Sequence, residues 1–224
     1  MPATCYLVIA IGAYLLGSIP FGFLAAKARG IDIRSVGSGN IGATNAMRVL
    51  GKPTGIFVLL MDALKGYLAC VLLVPLVYDW FAPHLSGLVV HFRDEPRDVQ
   101  LRFEVLAGIC AVLGHNYTCW LKFKGGKGIA TSAGVYIALA PWALLIALVV
   151  FILAVVITRY ISVGSISAAI ALAMTVWVMP PHNILLGIVT TALSALAIYK
   201  HKSNIQRLMA GTENRFCKKK ETTQ

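Results

Sequence analysis

Charge is what this 224-residue chain has least of. Only 13% of its residues are Asp, Glu, Lys or Arg, where a soluble domain carries about 25%. The shortage is one-sided: there are 20 basic residues and 9 acidic ones, for a formal net charge of +11. With 58% hydrophobic residues and a mean hydropathy of +0.77, the deficit excludes a soluble core and points to an integral membrane protein. There is no helix-turn-helix, zinc-finger or aromatic stacking motif, so the positive balance reads as membrane topology, and no nucleic-acid partner is expected. Cysteine is scarce too. Cys5, Cys70, Cys110, Cys119 and Cys217 are odd in number, form no CxxC pair and sit mostly in apolar stretches, which suits small buried hydrophobes. No HExxH or GxSxG occurs, and no His/Cys spacing suits a metal, so neither a metal nor any other cofactor is expected.

Long apolar runs fill the space that charge leaves. A helix needs about 20 apolar residues to cross the hydrocarbon core. Spans are predicted at about Ala3–Ala26, Gly55–Tyr78 and Val105–Leu121, two within Gly128–Arg159 broken at Pro141, and two at Ile161–Met179 and Ile184–Tyr199, separated by Pro180-Pro181. The first lacks a basic leader and is long enough to span, so it reads as a retained helix. The fold class is all-α: a polytopic bundle of about seven transmembrane helices, residues 1–224 forming one domain with a basic, disordered tail at about 216–224. With the N-terminus outside and the C-terminus inside, sixteen of the 20 Lys and Arg fall inside, from Lys27 to Lys220. Arg93, Arg97 and Arg102 fall outside, and Lys65 lies within a span. Merging the pair at Pro141 would destroy this asymmetry. The stretch from Asp79 to Glu104, with five acids and three arginines, reads as a solvated outer connector.

Polar residues collect in a few places, all on the predicted inside. Ser35 to Arg48 contains Ser38, Asn40, Thr44, Asn45 and Arg48, hydroxyls, amides and a guanidinium suited to an oxyanion. Gly37, Gly39 and Gly42 spell GxGxxG, but between membrane helices the dinucleotide meaning is lost. Lys122 to Thr131 holds Lys124, Gly125, Gly126, Lys127 and Gly128. Glycine N–H groups, lysine charge and a helix N-terminus together favour phosphate. A Walker loop fails, because Leu121 stands where its first Gly belongs and Gly128 follows Lys127. The third collection, His201 to Glu213, places His201 and Asn204 three apart on a helix end; Ser162 to Ser165 makes a smaller fourth. A basic turn against lipid headgroups would explain the second collection alone, and a juxtamembrane helix the third. Four on one side suggest one site. Asp62 and Lys65, three apart inside the second span, can pair, and charges at that depth are costly.

No nucleophile–base dyad is evident, and no His begins the HxxxxD pattern of soluble-type glycerolipid acyltransferases. Four motifs in order, Gly17-Ser18-Ile19-Pro20-Phe21-Gly22, SGNIGATN ending in Arg48, GGKGIAT, and HKSNIQRLMAGTE, resemble the bacterial acyl-phosphate-dependent glycerol-3-phosphate acyltransferases of the PlsY type over essentially the whole chain. The resemblance implies a multi-pass enzyme of the bacterial inner membrane with its site on the cytoplasmic face. It would move an acyl group from long-chain acyl-phosphate to the 1-hydroxyl of sn-glycerol 3-phosphate, beginning phospholipid synthesis. By the same resemblance Ser38, Arg48, His201, Asn204 and Glu213 are catalytic, and Gly125, Gly126, Lys127 and Gly128 bind glycerol 3-phosphate. Ser165 matches a further family serine best, with Ser162 as the alternative. Asn40, Thr44, Asn45 and Lys124 complete the expected substrate-binding set, membrane lipid is a partner, and a soluble acyl-phosphate synthase is a candidate one. Family members often carry a proline soon after the Gly-His pair; Gly114-His115-Asn116-Tyr117-Thr118-Cys119-Trp120 has none, which leaves the bend of the third helix open. The rival class is a carrier for an organic phosphate, disfavoured because carriers place their site near the midplane, often between repeats.

Overall fold

The computed structural model describes residues 3–86, 91–180 and 182–216, and every regular element among them is helical. Two compact units divide the chain at Leu139 and Ala140.

The first unit contains α1 (Ala3–Ser18), α2 (Phe21–Lys27), α3 (Ala43–Leu50), α4 (Lys52–Leu68), α5 (Val74–Ser86), α6 (Arg97–Asn116) and α7 (Ile129–Leu139). Ala3–Lys27 is one 25-residue apolar segment of mean hydropathy 2.1, interrupted because Pro20 has no N–H to continue the helix. The carbonyls released at the break are recaptured: Thr118 donates its hydroxyl hydrogen to Ser18 O (2.6 Å), and Lys65 Nζ donates to Ile19 O (2.8 Å). In a bilayer no water would do this. Lys52–Phe81 is a second apolar segment. It runs through α4 and α5 by way of a π-turn at Ala69–Leu73, whose wider winding precedes Pro75, where an α-helical hydrogen bond is impossible.

Small residues set the helix spacing, as membrane packing requires. A Cβ at Gly17 of α1 would collide with the Ala111 backbone of α6, and one at Gly114 of α6 with Tyr14 O. Gly66 and Gly134 do the same between α4 and α7. Cys5, Ile9 and Ala13 then meet Tyr78, Phe103, Ala107 and Ala111 in a buried core. Its centre is aromatic: Tyr78 lies 5.3 Å from Phe92 and 5.4 Å from Phe103 between ring centroids, arrangements worth about 0.5–1.5 kcal/mol each beyond burial.

Two expectations are corrected in this unit. The third helix starts at Arg97 and ends at Asn116, not Val105–Leu121, because its first turns are amphipathic and hydropathy alone misses them. The described part of the stretch from Asp79 to Glu104 is a solvated connector only in part: His91, Arg93, Arg97 and Asp98 are exposed, but several of its carboxylates are tied to the helices. Asp79 Oδ1 accepts the Phe92 N–H (2.7 Å), the Tyr78 hydroxyl bonds Glu95, and Arg97 pairs with the largely buried Glu104 (2.8 Å).

The second unit contains α8 (Pro141–Thr158), α9 (Ile161–Val178), α10 (Ile184–Lys200) and α11 (Lys202–Met209). The break at Pro141 occurs as expected: α7 ends at Leu139 and Pro141 opens α8, where its missing N–H costs nothing. Of α8 only Ala143 and Ala147 are buried, while Leu145, Leu148, Ile152 and Val156 are exposed. Such a surface suits lipid and would be a liability in water. α10 bends by 52° into α11 at His201. Among the described residues four helical segments are long and apolar enough to cross a membrane, five if the bent pair counts as one; neither α6 nor the 11-residue α7 is among them. The expected tail with Lys218 to Lys220, together with Cys217 and Pro181, lies outside the described residues; Cys5 and Cys70 are buried free thiols.

Candidate active site

The loop from Arg34 to Gly42 is built around one side chain. Asn45, in the first turns of α3, is buried. Its Oδ1 accepts the Ser38 N–H (2.9 Å), and its Nδ2 donates to Asn40 O (2.9 Å), Val36 O (3.1 Å) and Ile33 O (3.2 Å). Gly37 and Gly39 take φ of 62° and 69° to close round it, a conformation that other residues resist. Asn45, expected to bind substrate, thus spends its amide on the loop. Asn40 is similar, its Oδ1 accepting the Gly42 N–H (2.8 Å). The loop presents Ser38, while α3 presents Thr44 and Arg48 four apart on one face, all three exposed.

The glycine loop is used differently from what its sequence suggests. Gly125 donates to Asn116 O (3.2 Å) and Gly126 to His115 O (3.0 Å). Their N–H groups therefore bind the carbonyl end of α6 and are not offered to an anion. A Cβ at either position would collide with that end, and at Gly126 with the His115 imidazole itself. What remains lies further on. Gly128, at φ 83°, opens α7, whose first helical bond runs from Ser132 N to Gly128 O (2.7 Å). The donors of that first turn point out of the helix and carry its positive dipole end. Lys127 stands half-buried beside them, and Lys124 is exposed.

Under the loop lies a cluster that sequence reasoning glimpsed only in part. Asp62 and Lys65 of α4 pair at 2.7 Å with side chains 3% and 2% exposed. His115 of α6 joins them, Nδ1 at 3.5 Å from Asp62 Oδ1. The pair was legible from two charges inside a span; His115 was not, because its contact is between helices.

In the second unit Glu213 gathers three segments. Its Oε1 accepts from Asn204 Nδ2 (2.6 Å) and Ser162 Oγ (2.9 Å), and its Oε2 from Arg207 Nε (2.7 Å). Burial by itself would raise this carboxyl's pKa. The hydrogen bonds from Asn204, Arg207 and Ser162, with the Arg207 charge, outweigh it and hold the group below its usual range. Phe216 N donating to Arg159 O (2.7 Å) anchors the segment that carries it. Arg207 was missed as a site residue; the Glu–Arg spacing of six across an irregular segment gives no periodic signal. Ser162 is the serine that reaches Glu213, whereas Ser165 donates to Ile161 O (2.9 Å) within its own helix. His201 does not share a helix face with Asn204; it occupies the bend, and its N-cap carbonyl accepts the Asn204 N–H (2.8 Å). Its Nδ1 lies 2.7 Å from Ala197 O, so the neutral ring carries its proton there and Nε2 is the basic nitrogen.

Residues 7–211 match the family model described as glycerol-3-phosphate acyltransferase. The chain is 47% identical to the glycerol-3-phosphate acyltransferase of Trichlorobacter lovleyi over 205 residues, covering 92% of this chain and 94% of that one. It is 45% identical to that of Geobacter sulfurreducens over 210 residues, covering 94% and 97%. Crystal structures of PlsY, an integral membrane glycerol 3-phosphate acyltransferase, superpose with TM-scores of 0.78 for its glycerol 3-phosphate form and 0.75 for its lysophosphatidic acid form. The identities are 37% and 36%, and 95% of this chain is covered in each case. A chain with this helical architecture, matched over both of its compact units, belongs to the glycerol-3-phosphate acyltransferase family of multi-pass membrane proteins.

Proposed function

We propose that this chain transfers an acyl group from long-chain acyl-phosphate to the 1-hydroxyl of sn-glycerol 3-phosphate. The products are 1-acyl-sn-glycerol 3-phosphate and inorganic phosphate. The observation that carries the proposal is the start of α7. Gly125 and Gly126 are spent on α6, and the first-turn donors from Gly128 onward, with the Lys127 charge next to them in the chain, are suited to receive a phosphate. The related PlsY has a glycerol 3-phosphate form, which supports assigning that phosphate to this substrate. Ser38, Thr44 and Arg48, with Lys124, supply further donors for the second phosphate.

An acyl-phosphate is a mixed anhydride with a good leaving group, so positioning and charge stabilisation are the main requirements. The glycerol hydroxyl attacks the acyl carbon, the C–O bond to phosphate breaks, and the hydroxyl proton passes to a phosphate oxygen. No acyl-enzyme forms. His201, its tautomer fixed by Ala197 O, orients substrate through Nε2 together with Asn204. Glu213 holds Asn204 and Ser162 in place, a positioning role in preference to the catalytic one that the resemblance implied. Asn45 and Ser165 are spent on backbone carbonyls, Asn45 holding its loop and Ser165 bonding within its own helix.

The same reading makes residues 1–224 one acyltransferase domain with seven spans, the N-terminus outside and the site on the cytoplasmic face of a bacterial inner membrane. Its support is the sixteen-to-three bias of basic residues. A soluble acyl-phosphate synthase is the candidate donor of the second substrate.

The test is phosphate release by the purified protein given palmitoyl-phosphate and glycerol 3-phosphate, without metal or coenzyme A. Release that requires both substrates is expected. An acyl group trapped on Ser38 would overturn direct transfer. Uptake of glycerol 3-phosphate into proteoliposomes without release would restore the carrier.

A further inference from the structure

The glycine loop rests on α6, and α6 is fastened at that very point by a buried charge cluster. His115 and Asn116 offer the carbonyls that receive Gly126 and Gly125. The His115 ring lies against Gly126 so closely that no Cβ fits, with Nε2 the nearest atom. Its other nitrogen faces Asp62 at 3.5 Å. Asp62 is paired with Lys65, and Lys65 donates to Ile19 O at the α1–α2 break, with the Phe21 ring 5.7 Å from its ammonium. The neighbouring Gly66 packs on Thr131 O in the first turn of α7. The charged cluster therefore touches the helix before the loop and the break in the first span, and its neighbour Gly66 touches the helix after the loop.

Such a cluster is an expensive way to hold helices together, because removing charges from water costs several kcal/mol per ion. An apolar core would give equal stability. What an apolar core lacks is direction: Asp62 can hold one ring orientation of His115, and that ring sets where the loop lies.

We propose that Asp62, Lys65 and His115 are positioning residues that fix the glycine loop for the phosphate of glycerol 3-phosphate. The inference rests on assigning that loop to this substrate. Displacing a phosphate-binding loop by a fraction of an ångström weakens substrate capture strongly, even from a distance.

The test uses the double variant Asp62→Asn/Lys65→Met, which leaves no unpaired charge, and His115→Gln, which removes the ring but keeps a polar side chain. Two readouts are taken in the membrane-reconstituted protein: steady-state kinetics, and hydrogen exchange at the amides of Gly125 and Gly126. The expected result is faster exchange at both amides. The KM for glycerol 3-phosphate should also rise about tenfold or more, while the KM for palmitoyl-phosphate and kcat change by less than about threefold. A purely structural role would shift both KM values and kcat together, and that outcome overturns the proposal. Unchanged exchange overturns the positioning itself. Faster exchange with an unchanged KM for glycerol 3-phosphate, in an enzyme whose wild type saturates with that substrate, overturns the loop's assignment instead.

Discussion

Asp62 and Glu213 are both nearly buried carboxylates, 3% and 6% exposed in their side chains, yet they are compensated by different means. Asp62 sits inside α4, where every nearby backbone N–H is committed to the helix. Only side chains can answer it, and those that do are a lysine and a histidine. Glu213 sits on an irregular segment after α11 and takes two neutral donors, Ser162 and Asn204, with a single cation, Arg207. The contrast teaches that the surrounding backbone decides whether a buried acid needs countercharge or merely hydrogen bonds. It also separates their vulnerabilities: one cluster fails when a charge is left alone, the other when a proton is added.

The sharpest way to break the comparison is to orphan a charge. Lys65→Met with Asp62 intact leaves an uncompensated buried anion and should destabilise the protein by about 3–5 kcal/mol. Thermal unfolding followed by a thiol-reactive dye on the buried Cys5 and Cys70 reads this directly. At Glu213 the loss is smaller, because Glu213→Gln keeps one acceptor oxygen. The weakened charged hydrogen bonds should cost about 1.5–3 kcal/mol, visible in the same melt.

Lys127→Ala tests the loop that the first cluster supports. Removing one charged hydrogen bond to phosphate, about 1.5–3 kcal/mol, should raise the KM for glycerol 3-phosphate about ten- to a hundredfold with little change in kcat. Unchanged KM would remove the loop from the substrate site.

Acid sharpens the contrast further. The folded Glu213 carboxyl lies below its ordinary value of 4.5, so the unfolded chain binds the proton more readily. Glu213 contributes stability above pH 4.5 that disappears as pH falls through the lower folded value. The melting temperature should therefore drop below about pH 4.5, less steeply in Glu213→Gln. The smallest effect is expected at Asp32. Hydrogen bonds from Arg34 hold its carboxyl at about 2, but the pair lies at the surface, and Asp32→Asn should leave the melting temperature unchanged at 0.15 M salt.

How much of this was legible beforehand follows the same division. Apolar length located α1, α4 with α5, and α8 to α10, and Pro141 marked the break before α8, because those signals are local. The start of α6 was missed since Arg97, Asp98, Arg102 and Glu104 mask it from hydropathy; they pair with one another on neighbouring turns of the helix. In the glycine loop, residue type revealed that something must approach the backbone closely, but not what. Gly125 and Gly126 accommodate His115 and Asn116 of the same chain, while the first-turn donors that we propose for an anion fall on the residues after them. Asn45 and Ser165 were singled out as polar residues in polar stretches; their bonds to backbone depend on loop closure and helix winding, which composition does not encode.

The break at Pro20 has a consequence for biogenesis. When the first span enters the bilayer, the Ser18 carbonyl has no backbone partner within its own segment and the Ile19 carbonyl has only the Phe21 N–H (3.2 Å); hydrocarbon penalises an unsatisfied group by several kcal/mol. Their side-chain partners, Thr118 for Ser18 and Lys65 for Ile19, are synthesised 100 and 46 residues later. The first helix of this protein is therefore complete only after the second and third have arrived, and the order of translation becomes an order of assembly.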